Sequence, residues 1–85
     1  MRAKNIEFAA STLSSLVQMI VDQPERVEVT FVEGQDETRL LCSVSPDDLG
    51  KVIGKDGKTV RCLRTLLIAA SRTSGHRYFL DVVTY

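Results

Sequence analysis

The spacing of apolar residues first predicts a helix from about Asn5 to Asp22. Apolar side chains recur there every three or four residues, which places them on one face of an α-helix, with polar residues on the other. Pro24 disfavours helical backbone at the residue before it, so the helix should stop near Asp22. Residues 1–4 are expected to be frayed. The apolar stripe consists of Leu13, Leu16, Val17, Ile20 and Val21.

Three segments alternate apolar and polar residues instead, and this period of two is typical of half-buried strands. They span residues 26–32, 39–44 and 77–83. A short acidic segment with one glycine, residues 33–38, joins the first two and predicts an antiparallel hairpin. The apolar residues that share a face are Val27, Val29 and Phe31 in the first strand, Leu40, Cys42 and Val44 in the second, and Tyr78, Leu80 and Val82 in the third.

Two further helices are predicted between the second and third strands. Ser45 is a suitable N-cap and Pro46 suits the first helical position, and the two aspartates that follow face the positive end of the helix dipole. This helix is short because Gly54 follows closely. A longer helix starts after Gly57 and ends at Gly75, so the order of elements is α-β-β-α-α-β. Its apolar stripe is Val60, Leu63, Leu66, Leu67 and Ala70.

Length and composition predict a single small domain. The chain has 85 residues, of which 44% are apolar, so it should fold around one modest core. It has no apolar run long enough to span a bilayer and no signal peptide pattern, which predicts a cytoplasmic protein without membrane insertion.

The few residues that bind metals or act in catalysis form no recognisable motif. Cys42, Cys62 and His76 are too few and too scattered for a zinc site, so neither a metal nor a cofactor is expected. Both cysteines are predicted to be buried, reduced thiols, and His76 to be a solvated loop residue. No motif supports catalysis.

The charge is distributed unevenly although the net charge is zero. Residues 1–50 carry four basic and nine acidic side chains, a net charge of −5, whereas residues 51–72 carry six basic side chains and one acidic, a net charge of +5. A basic cluster of this kind indicates either a solvated helix face or a surface for nucleic acid.

The basic segment contains the sequence VIGKDGKTV at residues 52–60, in which two glycines lie three positions apart between two predicted helices. Glycine allows positive φ and close approach of another molecule, and the amides at the start of the second helix attract anions. Helix, Gly-x-x-Gly, helix is the arrangement of the KH domain, whose GXXG loop clamps a nucleic-acid backbone. The candidate RNA-binding residues are Lys51, Val52, Ile53, Gly54, Lys55, Asp56, Gly57, Lys58, Arg61 and Arg64. Core packing is the favoured single role for Val52, Ile53 and Val60.

The sequence resembles the small bacterial KH-domain RNA-binding proteins of the KhpA type in three stretches, which are VDQPE at 21–25, DDLGKVIGK at 47–55 and LRTLL at 63–67. The resemblance covers roughly residues 13–83. It implies an α+β, type II KH domain, in which a three-stranded mixed sheet carries helices on one face. Residues 9–85 would form this domain, and residues 1–8 a partly frayed N-terminal extension without an inherited role.

The same resemblance implies a function and partners. The protein would bind single-stranded RNA through Gly54, Lys55, Asp56 and Gly57, as an RNA chaperone or post-transcriptional regulator. It would form a homodimer, or a heterodimer with a larger KH-domain RNA-binding protein. A link to cell shape, through peptidoglycan homeostasis, envelope growth and cell length, is implied in the same way.

Asp56 leaves a second interpretation open. Its carboxylate neutralises Lys55, which would weaken phosphate binding, or it accepts hydrogen bonds from amides of the next helix. The alternative function is therefore a protein-interaction subunit with a KH fold and little RNA binding of its own. The concentration of basic residues around the turn favours RNA.

Overall fold

The computed structural model describes the backbone of residues 2–85 and the side chains of residues 6–72 and 75–85. The predicted order α-β-β-α-α-β is confirmed. Short 3₁₀ turns precede β1, α2 and α3. Within residues 2–85, no helix is long and apolar enough to cross a membrane. The elements are α1 (Arg2–Gln18), β1 (Glu28–Glu33), β2 (Glu37–Val44), α2 (Leu49–Ile53), α3 (Lys58–Ser74) and β3 (Arg77–Thr84).

The three strands form a mixed sheet in the order β1-β2-β3. The pair β1–β2 is the predicted antiparallel hairpin, and β2–β3 is parallel. A parallel pair needs a crossover connection, which α2 and α3 provide. Leu40, Cys42 and Val44 on the central strand are completely buried, which confirms the inward face predicted from their alternation.

Both ends of α1 differ from the sequence prediction. The helix starts at Arg2 rather than Asn5, and Ile6 in its second turn is completely buried. It ends at Gln18 because the next two amides bond three residues back, and Met19 turns into solvent with 80% of its surface exposed. The division of the chain after residue 8 stays a prediction, since α1 runs across it without a break.

The strand β1 is shorter and more exposed than its alternation predicted. It begins at Glu28 because the residues from Pro24 to Arg26 form a 3₁₀ turn. Five of its six residues are exposed, and only Val29 is half-buried. The strand lies at the sheet edge, where Phe31 keeps 40% of its surface accessible.

The prediction that His76 is solvated is wrong. The residue is only 2% exposed, and its Nε2 lies 2.6 Å from the hydroxyl of Thr38. Its ring also meets that of Tyr78 edge-on. His76 precedes Tyr78 and Leu80 by two and four residues, so it extends their inward-facing alternation, and the hydrogen bond offsets the cost of burying it.

The two cysteines lie in different environments. Cys42 is buried as predicted, but Cys62 is exposed on α3, so the prediction that both are buried is wrong. Cys62 directly precedes the buried Leu63 of the helix stripe, and neighbouring helix positions point in different directions.

This difference predicts that one thiol per chain reacts with a disulfide reagent such as DTNB at pH 8. Burial raises the pKa of the Cys42 thiol to about 11, so it stays protonated and shielded, while Cys62 is accessible. Two thiols should react after denaturation, and a Cys62→Ser variant should show none in the native state. Rapid reaction of two thiols in the folded protein would contradict the burial of Cys42.

Candidate nucleic-acid interface

The GXXG turn, residues 54–57, reverses the chain between α2 and α3 through three residues with positive φ. Gly54 has φ 80° and ψ 169°, a combination that is essentially restricted to glycine. Asp56 at φ 57° and Gly57 at φ 74° occupy the left-handed region. The Gly57 amide donates to the Gly54 carbonyl at 3.1 Å, which closes the turn.

The two glycines are required for different reasons. A Cβ on Gly54 would lie 2.3 Å from the Thr59 hydroxyl and 2.7 Å from the Thr59 amide nitrogen, so the first turn of α3 packs directly against this position. A Cβ on Gly57 would meet nothing within 4 Å. The first glycine is therefore needed by the fold, and the second keeps an outer surface open.

Positive charge surrounds this open surface. Lys55 and Lys58 are exposed on either side of Gly57. Within the described residues, no side chain caps the start of α3, and its first turn contains no acidic residue. The Lys58 amide donates to the carbonyl of Lys55, whereas the amides that follow it in the first turn have no side-chain cap. These amides and the helix dipole favour an anion at the start of α3.

The carboxylate of Asp56 does not serve the capping role that was one of its two interpretations. In the described part of the chain it accepts no hydrogen bond, and instead the Asp56 backbone carbonyl accepts one from Arg61 Nη2 at 3.3 Å. Arg61 is thereby held next to the turn. Asp56 contributes an exposed negative charge to a surface that is otherwise basic.

The basic surface continues from the turn along α3 to the free edge of β3. Arg64 Nη2 donates to the carbonyl of Leu80 at 3.2 Å, which draws its guanidinium to that edge. A groove of about 330 Å³ lies between α3 and β3, and we call it the α3–β3 groove. The acid in it, Asp81, is paired with Arg39 at 2.9 Å. The lining includes Arg39, Arg64, Ile68, Phe79, Leu80 and Asp81.

Sequence reasoning missed part of this surface. It found no aromatic residue in the basic segment, but the fold brings Phe79 of β3 beside Arg64 and Ile68 of α3. A neighbouring cavity of about 410 Å³ adds Arg72 and Arg77. The available signal was that β3 directly follows α3 in the chain, which favours contact between them.

The other predicted site residues lie around α2. Val52 is completely buried, so its assignment to the binding surface is corrected to a core role, while Ile53 is half-buried. Lys51 is exposed, but its Nζ lies 3.0 Å from the carboxylate of Asp22 and 3.8 Å from that of Asp48. Of the predicted cations, Lys55 and Lys58 are nearest the turn in sequence, and Arg61 is bonded to it.

The sequence matches the model of the KhpA/KhpB KH domain over residues 10–82. The chain belongs to the KhpA/KhpB KH-domain family. Its relatives include the RNA-binding protein KhpA of Aquifex aeolicus, 39% identical over 77 residues, which cover 86% of this chain and 98% of that one. The KhpA of Treponema pallidum is 39% identical over 71 residues, or 84% of this chain and 89% of that one. The observed sheet and helices are the type II KH fold that the family resemblance implied.

Two solved structures of the protein Era are similar to the KhpA/KhpB KH domain in fold. Aquifex aeolicus Era bound to GDP and aluminium fluoride matches with a TM-score of 0.59 and 16% identity, over 91% of this chain and 30% of Era. Era in complex with MgGDPNP and nucleotides 1506–1542 of 16S ribosomal RNA matches with a TM-score of 0.58 and 16% identity, over 89% of this chain. The chain spans about 30% of the length of Era, and these matches show the fold alone.

Proposed function

We propose that the chain binds single-stranded RNA and that the GXXG turn holds the phosphate backbone. The observation that carries this proposal is the open surface at Gly57, which lies at the start of α3 between the exposed Lys55 and Lys58, where no side chain caps the helix. A phosphate at this point would meet backbone donors, a helix dipole and two lysines together. The relatives named RNA-binding protein KhpA support the same ligand class.

The RNA strand would continue from the turn into the α3–β3 groove. Arg61 and Arg64 lie one turn apart on α3 and would follow the backbone. Phe79 keeps 38% of its surface exposed with Arg39 over its ring at 5.8 Å from the centroid, and a base would stack on the part of the ring that Arg39 leaves open. Asp81, the acidic residue of the groove lining, is paired with Arg39, so the two together add no net charge to the groove. Because most contacts go to the backbone, base specificity should be weak.

The wider role follows the family resemblance. The protein would act in the cytoplasm as an RNA chaperone or post-transcriptional regulator, with a link to cell-envelope growth and cell length. One KH domain gives modest affinity, so pairing with a second copy or a larger KH-domain protein would raise it through effective concentration.

The proposal is tested by titrating a fluorescently labelled single-stranded RNA pool at several salt concentrations. Four phosphate contacts, from Lys55, Lys58, Arg61 and Arg64, should give a slope of about −3 in a plot of log affinity against log salt. A double-stranded RNA of the same length should bind more weakly. Absence of binding at low salt would contradict the proposal.

A second candidate function, a protein-interaction subunit, is favoured by a separate observation. A cavity of about 680 Å³ lies between α1 and α3, and none of its lining residues is charged. At its rims Phe8 keeps 75% of its surface exposed and Leu66 keeps 55%. Contiguous apolar surface of this kind marks interaction sites. A two-fold axis would place Phe8 of each copy in the cavity of the other, which gives a self-complementary homodimer.

Replacing Phe8 with serine should therefore convert a dimer into a monomer in size-exclusion chromatography with light scattering. Phe31→Ser is the matched control, because it removes an exposed aromatic residue from β1, away from the cavity. The control should keep the dimer mass. A monomeric wild type, or a Phe8→Ser variant with unchanged mass, would contradict self-association through this cavity.

A further inference from the structure

Lys51 lies three residues before Gly54 and is held by two carboxylates from outside its own helix. Its Nζ is 3.0 Å from Oδ2 of Asp22, which follows α1, and 3.8 Å from Oδ1 of Asp48, which precedes α2. Lys55 and Lys58, nearer the open surface, form no such pair among the described residues. The lysines of the basic segment are thus not equivalent.

The carboxylate of Asp48 fixes the backbone of Asp22 and leaves the side chain of Asp22 unused. The carboxylate of Asp48 is 1% exposed and accepts hydrogen bonds from the backbone amides of Asp22 at 3.1 Å and Gln23 at 3.0 Å. Gln23 Nε2 also donates to the hydroxyl of Ser45 at 3.1 Å. The segment after α1 is therefore attached to the start of α2, and the side chain of Asp22 is free to change partners.

Another anion can replace Asp22 in its contact with Lys51. Side-chain exposure is 76% for Asp22 and 44% for Lys51, and exposed pairs of this kind are weak and easily replaced by another anion. The hydrogen bond and charge of Asp22 raise the pKa of Lys51, so the ammonium is charged when it meets either carboxylate or phosphate. A phosphate that approaches Lys51 would therefore have to replace the carboxylate of Asp22.

We infer that Asp22 competes with an RNA phosphate for Lys51, so that a phosphate can bind Lys51 only when the ion pair with Asp22 opens. This inference rests on the proposed function and deepens it. Asp22 lowers the affinity for RNA, and Asp48 acts as a positioning residue that keeps Asp22 next to α2. The carboxylates of Asp22 and Asp48 are thereby linked to the RNA-binding surface.

The test compares Asp22→Asn with Asp47→Asn in the RNA titration. Asparagine at position 22 keeps the backbone amide that bonds to Asp48 but removes the competing charge. Asp47 raises the pKa of Lys51 through its charge alone, so Asp47→Asn is a matched loss of one acid without loss of the contact. Asp22→Asn should bind RNA about two- to fivefold more tightly. Its salt slope should become steeper by about 0.7, because one further phosphate is bound. Asp47→Asn should bind like the wild type.

A double-mutant cycle with Lys51→Ala separates competition from a purely structural role. Lys51→Ala should lower affinity more in the Asp22→Asn background than in the wild type, because Asp22 occupies Lys51 in the wild type, and it should remove the whole gain of Asp22→Asn. Equal gains in the Asp22→Asn and Asp47→Asn variants, or a gain that survives Lys51→Ala, would overturn the inference. So would unchanged or weaker binding by Asp22→Asn. A wild type that binds no RNA would instead overturn the proposed function itself.

Discussion

Replacing Lys55 with aspartate is expected to lower RNA affinity by at least about tenfold while leaving the fold intact. Lys55 is exposed in the GXXG turn, and its side chain forms no ion pair or hydrogen bond among the described residues, so the substitution removes no side-chain contact from the native state. The new carboxylate would stand beside Asp56 and replace a phosphate-binding cation with a repulsive pair of acids. The effect should therefore appear in binding and not in stability.

The measurement pairs the RNA titration with urea unfolding followed by circular dichroism. Arg26→Asp is the control, because it changes the net charge equally at an exposed position in the turn before β1. This control should bind RNA within about twofold of the wild type, because Arg26 lies outside the basic segment of residues 51–72 and salt weakens interactions between exposed charges. Unchanged affinity in a folded Lys55→Asp variant would refute the GXXG turn as the phosphate-binding site.

The parts of the fold that local sequence determines were predictable. Alternation identified β2, the apolar stripe identified α3, and Gly75 marked its end, where the residue indeed has φ 74°. Ser45 caps the 3₁₀ turn before α2 as expected, accepting a hydrogen bond from the Asp47 amide. In each case the signal is the residue type itself or its spacing from residues a few positions away, so the sequence carries it directly.

The parts that depend on distant contacts were not predictable in this way. Asp48 suited a helix dipole, but it is buried and bonds to amides about 25 positions earlier in the chain. His76 meets Thr38, 38 positions away, and Phe79 joins the basic surface only because β3 passes beside α3. Such contacts are set by strand register and helix packing, which local patterns do not encode.

The GXXG turn lies between these two cases. Its spacing predicted a site of close approach for an RNA backbone, and positive φ at both glycines agrees with that role. The sequence did not show that the first glycine is also confined by Thr59, because that contact depends on how α3 packs back onto the turn. The two glycines therefore predict different consequences when each is replaced.

Gly54→Ala is expected to lower the free energy of unfolding by about 3 kcal/mol or more. The methyl group would lie within 2.7 Å of the Thr59 amide, and the backbone would hold φ 80° and ψ 169°, where alanine is strained. Gly57→Ala has only the strain of φ 74°, with open space around the new methyl, and should cost about 1 kcal/mol. A small domain tolerates the second loss far better than the first.

Urea unfolding of the two variants and of Gly50→Ala tests this difference. Gly50 lies within α2 with nothing near its Cβ position, so alanine there should stabilise the protein by up to about 1 kcal/mol. RNA titration then separates fold from function. Gly57→Ala should remain folded and bind RNA more weakly, because its methyl group occupies the surface through which the phosphate backbone approaches. If Gly54→Ala were as stable as Gly57→Ala, the packing of Thr59 against the turn would be refuted. If folded Gly57→Ala bound RNA like the wild type, the open surface at the second glycine would not be the point of entry.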